Sequence, residues 1–360
     1  MSFDVAIIGA GIAGASLAAE LAPHARVLLV EGEDAPGYHA TGRSAAFWSE
    51  TYGGPGIQPL TSASGPTLRA GGFLQPLGSI HVGREADRAA AHALLAAFAG
   101  TSVMLEAVDP ADQIPGIRDG WTVGVWEPSC AYIDVGGLHA SCLARARAAG
   151  ATLVTSAGLR GADRSDGRWH LVTAAGRYTA ETVVNAAGAW ADQVARVFGA
   201  EPLGIAPFRR TMAQLRVDPP ACAGLPHVAA LNGTFYFKPE AGGRVWLSPH
   251  DEIPTDPCDA APDELDVAIA IDRLESAVDW RVEAVERRWA GLRSFAPDRL
   301  PVFGFDPVVP GLFWCAGQGG FGIQTAPAAA TLSTALLLQQ GELPPGVDPL
   351  IFSPGRFRRV

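Results

Sequence analysis

Charge is scarce in this chain, and it does not gather. Only 18% of the 360 residues are charged, and acids outnumber bases 37 to 27, for a formal net charge of -10. The few basic clusters, Arg287 with Arg288 and Arg358 with Arg359, make no stripe that could neutralise a phosphate backbone, which argues against nucleic acid as a partner. Long apolar runs are missing as well. The richest window, 326–338, is broken by Pro327, Thr331, Ser333 and Thr334, so no transmembrane segment is expected. The first strand begins almost at Met1, without a basic n-region, apolar h-region or cleavage site, and a cytoplasmic protein is expected. The five cysteines (Cys130, Cys142, Cys222, Cys258, Cys315) form no CxxC pair, which removes a disulfide framework and a zinc ribbon and leaves free, mostly buried thiols. The eight histidines carry no HExxH and no pair at helical spacing, so no metal site is expected.

What the chain has is apolar material, 48% of its residues, enough for a large core split over two domains. Residues 3–14, FDVAIIGAGIAG, read as an apolar strand entering Gly9, Gly11 and Gly14, and an Ala-rich stretch, 15–22, follows as a helix. A second apolar strand, 26–30, ends in Glu31, seventeen residues after Gly14. This is GxGxxG in a strand, turn and helix, with an acid where a ribose hydroxyl needs an acceptor. Gly9 permits the tight turn, Gly11 admits a pyrophosphate close to backbone, and Gly14 lets the helix pack on the strand. Ile12 and Ala13 belong to the same cofactor-binding turn, whose helix presents its positive end to the phosphates. Glu31 disfavours a 2′-phosphate, so FAD or NAD is expected rather than NADP.

Two later segments decide between them. Residues 182–190, TVVNAAGAW, form a strand ending in a small-residue turn, and 312–325, LFWCAGQGGFGIQT, a strand running into a glycine-rich loop before a helix over about 327–339. That loop also fits GxGxxG through Gly317, Gly319 and Gly322, but no strand ending in an acid follows it. One dinucleotide is therefore expected, FAD, with its ring against this loop and the helix aiming bare amides at the ring edge that becomes anionic on reduction.

GAGIAGAS, GYHATGRSAA, VVNAAGAW, the FRR segment, FYFKPEAG, WAGLRSF and FWCAGQGGFGIQT resemble, in order and spacing, the FAD-dependent D-amino acid dehydrogenases of the glycine oxidase and D-amino acid oxidase superfamily. D-arginine dehydrogenases look most alike. The resemblance implies non-covalent FAD held by the first turn and Glu31, by His39, Arg43, Ser44 and Ala45, by Ala187, Gly188 and Trp190, and by Gly317, Gly319, Gly320, Phe321, Gly322, Ile323 and Gln324. The run 37–53, GYHATGRSAAFWSETYG, would then cross from ribose and pyrophosphate to the flavin face, its small residues leaving backbone to touch the cofactor.

An amino acid substrate brings a carboxylate, which suits the planar fork of an arginine. Arg293 and Arg210 match the family's carboxylate-binding positions; pairing with an internal acid is the alternative, more open for Arg210. Tyr236 matches a tyrosine that reaches substrate from above the flavin, with Phe235 and Phe237 turned into the core. Tyr52 matches an active-site tyrosine on a mobile loop, against a plain packing role, and backbone at Gly319 and Gly320 would meet the amine. Two departures stand out. The family's acid that reads a cationic side chain aligns with Ser79, and Phe47 and Trp48 occupy the stretch where its active-site histidine would lie. Neutral or hydrophobic substrates are therefore expected; His81, two residues beyond Ser79 on the same strand face, is read as an exposed strand residue of no special role, with substitution for the missing group as the alternative.

The fold class is then α/β: a Rossmann-type FAD-binding domain (1–78, 137–206, 299–360) plus an α+β substrate domain (79–136, 207–298) with a mainly antiparallel sheet, glycine oxidase-like. Strands are expected near 120–127, 211–217, 234–238, 244–248 and 283–293, and helices at about 86–99 and 263–279. The implied reaction is oxidative deamination of a D-amino acid to a 2-oxo acid and ammonia. A secondary amino acid such as sarcosine or a cyclic imino acid, and a 2-hydroxy acid, are the alternatives, and quinone and oxygen both stay open as electron acceptor.

Overall fold

The computed structural model describes residues 2–222 and 224–357. Its first sheet has eight strands. The opening strand, Ser2–Ile8, pairs in parallel with Val27–Val30 on one side and Gly176–Asn185 on the other. Thr152–Val154 continues the parallel set beyond Val27–Val30, and Leu312–Ala316 joins the end of Gly176–Asn185. Parallel strands need cover on both faces, and the chain supplies it. Val5, Ile7, Val27 and Leu29 pack toward the helices Ile12–Leu21, Val135–Ala148 and Ala326–Leu338, while Ile8, Leu28 and Val30 pack toward Ala191–Val197. The polar antiparallel strands Leu159–Ser165 and Arg168–Thr173 close one edge.

The second sheet has ten strands, and all but one of its pairings are antiparallel. Its centre is a long ribbon in which Ala206–Asp218 runs against Arg281–Phe295, from Ala206 opposite Phe295 to Asp218 opposite Arg281. Arg244–Ser248 and Tyr236–Glu240 extend it by hairpin pairing, and His227–Ala230 then pairs in parallel with Ser79–Gly83, the exception to the antiparallel pattern. Val123–Glu127 follows. Alternation sorts the side chains: Phe235 and Phe237 join the core beneath helix Glu264–Ala277, with Val267, Ala270 and Leu274, while Tyr236 faces the other way. The expected strands and helices of this part all form, Arg244–Ser248 with the expected ends and the others with shifted ones.

A short strand within the second glycine-rich loop, Gln318–Gly319, pairs with Ser294 and Phe295 and so stitches the C-terminal loop onto the second sheet. Phe47–Trp48 joins a small three-stranded sheet with Ala131–Ile133 and Leu74–Pro76. Among the described residues no helix is long and apolar enough to cross a membrane.

Candidate functional site

A cavity of about 560 Å³, within the range of ligand sites, runs between the two sheets. One end is the turn after the opening strand. Gly9 has φ +105°, and a Cβ there would stand 2.4 Å from the Ala186 carbonyl oxygen. At Gly14 a Cβ would stand 1.9 Å from the Gly9 carbonyl oxygen, so the helix can approach its strand only with glycine at that place. Glu31 is aimed by two backbone amides, Ala10 N–H at 2.8 Å and Glu33 N–H at 3.0 Å. The Ile12 N–H donates to Thr41 Oγ1 at 3.0 Å, which ties the first turn of the helix to the 37–53 run. Gly9, Gly11, Ile12, Ala13 and Glu31 all line the cavity.

So do His39, Arg43, Ser44 and Ala45, and across from them Ala187, Gly188 and Trp190. His39 is held by Glu33 at 2.8 Å and packs on the Trp190 ring at 4.6 Å. The Arg43 guanidinium is already engaged: it pairs with Asp259 and donates to the carbonyls of Ala260 and Ala290. Arg43 thus lines the cavity while its guanidinium joins the 37–53 run to Ala290 of the second sheet.

The far end carries the arginines. Arg293 donates from Nη1 to the Tyr52 hydroxyl at 2.7 Å and from Nη2 to the Tyr236 hydroxyl at 3.3 Å, and no ion pair joins it to an acid among the described residues. Arg210 is buried, donating from Nε to the Asp251 carbonyl at 2.6 Å and from Nη2 to Glu252 at 3.2 Å; its Nη1 is buried without a partner among the described residues. Burial, and then the charge of Arg293, push the Arg210 pKa down, as expected for two guanidiniums awaiting an anion. Arg210, Tyr236 and Arg293 line the cavity, with Gly319, Gly320, Gly322 and Ile323 on the side of the C-terminal loop. A Cβ on Gly320 would lie 2.1 Å from the Tyr52 hydroxyl and 3.1 Å from Arg293 Nη1, so backbone alone fits there.

Five expected site residues stand off the cavity wall: Gly14, Tyr52, Gly317, Phe321 and Gln324. The Tyr52 ring packs between Phe47 and Phe321, 5.1 and 5.0 Å between centroids, and meets the site through its hydroxyl. Gln324 faces away, its amide spanning Ser49 N–H, the Tyr52 carbonyl and Thr61 Oγ1. The helix expected to offer bare amides does not offer them in its first turn. Ala326 N–H donates to Ile323 O, Ala328 N–H to Ser64 Oγ, Ala329 N–H to Thr325 O, and Pro327 has no amide hydrogen. Cys315 is buried, its thiol pushed up to about 12 by burial.

Several partners escaped the reading of the sequence. Ser79 is buried and shares a 2.9 Å hydrogen bond with His227 Nδ1, and directly opposite it on the next strand lies Glu127, an acid the alignment at Ser79 did not foresee. His81 is not exposed: it is half-buried, 3.2 Å from Thr51 Oγ1, and burial lowers its pKa to about 4. His227 and His250 flank the Tyr236 ring, and burial, the largest influence on each, takes both to about 3. Single residues at distant positions left no pattern that could have signalled these contacts.

The glycine turn, the aimed acid and the backbone-walled loop fit a dinucleotide that ends in a flat ring system. A sequence profile of the FAD dependent oxidoreductase family matches residues 4–336. The chain belongs to that family, and FAD is its cofactor. Among curated relatives, the glycine oxidase of Pseudomonas putida is 31% identical over 189 residues, 51% of this chain and 47% of that one. Human mitochondrial dimethylglycine dehydrogenase is 29% identical over 269 residues, 68% of this chain and 30% of that one. The chain thus spans half or less of the length of these relatives. The structure of glycine oxidase from Geobacillus kaustophilus superposes with a TM-score of 0.85 at 24% identity, covering 99% of both chains. The fold is accordingly glycine oxidase-like: a Rossmann-type FAD part beside a mainly antiparallel sheet.

Proposed function

We propose that this protein oxidises the amine of a small amino acid, with residues 79–136 and 207–298 forming the substrate side and the rest holding FAD. The observation that carries the reading is Arg293, a guanidinium at the end of the FAD cavity whose donors rest, among the described residues, on two neutral hydroxyls and on no acid. Such a charge is completed by an anion from outside the chain. Bound FAD supplies a hydride acceptor for the substrate Cα. Arg293 and the free Nη1 of Arg210 grip the carboxylate. Tyr52 and Tyr236 hold the guanidinium plane, and the backbone at Gly319 and Gly320 leaves room for the amine. Positioning is the chain's main contribution. Among the described residues no carboxylate or histidine lines the cavity at this end, so the amine sheds its proton to solvent, and kcat/KM rises with pH until the free substrate amine is neutral.

Neutral and apolar D-amino acids suit the site better than cationic ones. Phe47 packs over His227 at 4.3 Å between centroids, and Glu127, behind it, already accepts several hydrogen bonds. Secondary amines are the second reading, favoured by similarity to dimethylglycine dehydrogenase. Anaerobic bleaching of the flavin's visible absorbance by D- and L-amino acids, N-methyl amino acids and 2-hydroxy acids tests this. Neutral D-amino acids are expected to bleach it with release of a 2-oxo acid. Bleaching only by D-arginine would overturn the selectivity, bleaching only by N-methyl or hydroxy acids would move the reaction class, and no bleaching at all would overturn turnover itself.

A further inference from the structure

One buried carboxylate stands off the cavity wall with no part in the chemistry above. Glu127 closes strand Val123–Glu127 and is fully buried. Its Oε2 accepts from Ser49 Oγ at 2.8 Å and Thr51 Oγ1 at 2.6 Å, and its Oε1 from Glu50 N–H at 2.7 Å and, more weakly, from Ser129 Oγ at 3.4 Å. Among the described residues no cation pairs with it. A buried carboxylate is costly, and these charge-assisted hydrogen bonds are what offsets the cost. Every partner is a donor, so the ionised form fits; burial nonetheless raises its pKa. Because Thr51 gives its proton to Glu127, its contact with His81 has the imidazole Nε2–H as donor, in keeping with a histidine kept neutral.

The three strong donors are residues 49, 50 and 51, and the next residue is Tyr52. The turn that follows has little stiffness of its own, since Gly53 and Gly54 both sit at positive φ, +98° and +74°. Gln324 holds the same segment from the opposite side, through Ser49 N–H and the Tyr52 carbonyl. We infer that Glu127 is a positioning residue for substrate: it clamps residues 49–51 so that the Tyr52 hydroxyl stands where it fixes the Arg293 guanidinium for a carboxylate. This rests on the reading of Arg293 given above.

The test uses the FAD-loaded protein and benzoate, a carboxylate without an amine, whose binding is followed by the change in the flavin spectrum. Glu127→Gln places amide hydrogens against donors. It is expected to raise the benzoate Kd and the KM of the best substrate by about 10- to 100-fold, with kcat changed far less and FAD content intact. Glu127→Asp restores part of the loss. In a Tyr52→Phe background, Glu127→Gln adds nothing further, because the path through the hydroxyl is already cut. If Glu127→Gln does not fold, Thr51→Val and Ser49→Ala each remove one donor and carry the same comparison with smaller shifts. Benzoate affinity and KM within twofold of the parent, or losses that add fully to those of Tyr52→Phe, overturn the inference. Arg293→Met separates the two readings: if it leaves benzoate binding unchanged, the carboxylate site itself is misassigned, whereas if it abolishes binding and Glu127→Gln does not weaken it, only the role of Glu127 falls.

Discussion

The two sheets build their ends of the cavity by opposite means. On the first, the wall is shaped by backbone: glycines at 9 and 14 where no Cβ has room, and an acid aimed by two amides. At the other end it is shaped by side chains that fix one another, Tyr52 and Tyr236 on Arg293, Asp251 and Glu252 on Arg210. A backbone site is rigid and intolerant of any added atom. A side-chain site is adjustable, and its pieces can be removed singly with graded loss.

The sharpest break falls on the backbone side. Gly14→Val drives a side chain into the Gly9 carbonyl, which cannot move without dismantling the turn, and should cost more than about 4 kcal/mol. The outcome is protein without FAD and with a collapsed melting temperature, both read directly on the purified protein. On the side-chain side, Arg293→Met should keep FAD and fold while kcat/KM falls by about 10³, or about 4 kcal/mol of lost carboxylate binding. Normal turnover in that variant would erase the contrast.

Acid should weaken the second sheet next. The folded pKa values of His81, His227 and His250 lie below the ordinary 6.5, so the unfolded chain takes up protons that the folded one refuses. Stability is then full above about pH 6.5 and is lost as pH falls toward 4, with about 3 kcal/mol from His227 alone. Melting curves across that range check the slope, and His227→Phe should flatten it. The smallest effect belongs to the joint between the two regions. Arg43→Met removes the contacts to Asp259, Ala260 and Ala290 and should weaken FAD about tenfold, about 1.4 kcal/mol, with kcat preserved. Titration of the apoprotein with FAD measures it.

Legibility in the sequence followed the same division. The glycine turn and Glu31 could be read because each requirement is local, a positive φ, a close approach, an acid at the end of the next strand. The pattern misled where it was carried past the wall of the cavity: Gln324 follows the glycines of the second loop but turns to Ser49 and Tyr52, and the first amides of the next helix are taken by Ile323, Ser64 and Thr325. Tyr236 was separable from Phe235 and Phe237 because strand alternation is also local. Glu127 and Asp259 were invisible, since Thr51 and Arg43 lie 76 and 216 residues from them in the chain.

The sequence by itself determined that a dinucleotide would be bound, where its turn would lie, and that the second part would be a mainly antiparallel sheet. Those properties follow from backbone conformation and from periodicity, which act over a few residues. Only the tertiary structure decided which charges are cancelled and which stay open. Arg43 meets Asp259, Arg210 meets Glu252, and Arg293 meets hydroxyls alone. Hydrogen bonds and ion pairs act over about 3 Å in space, and only folding brings such distant residues within that range.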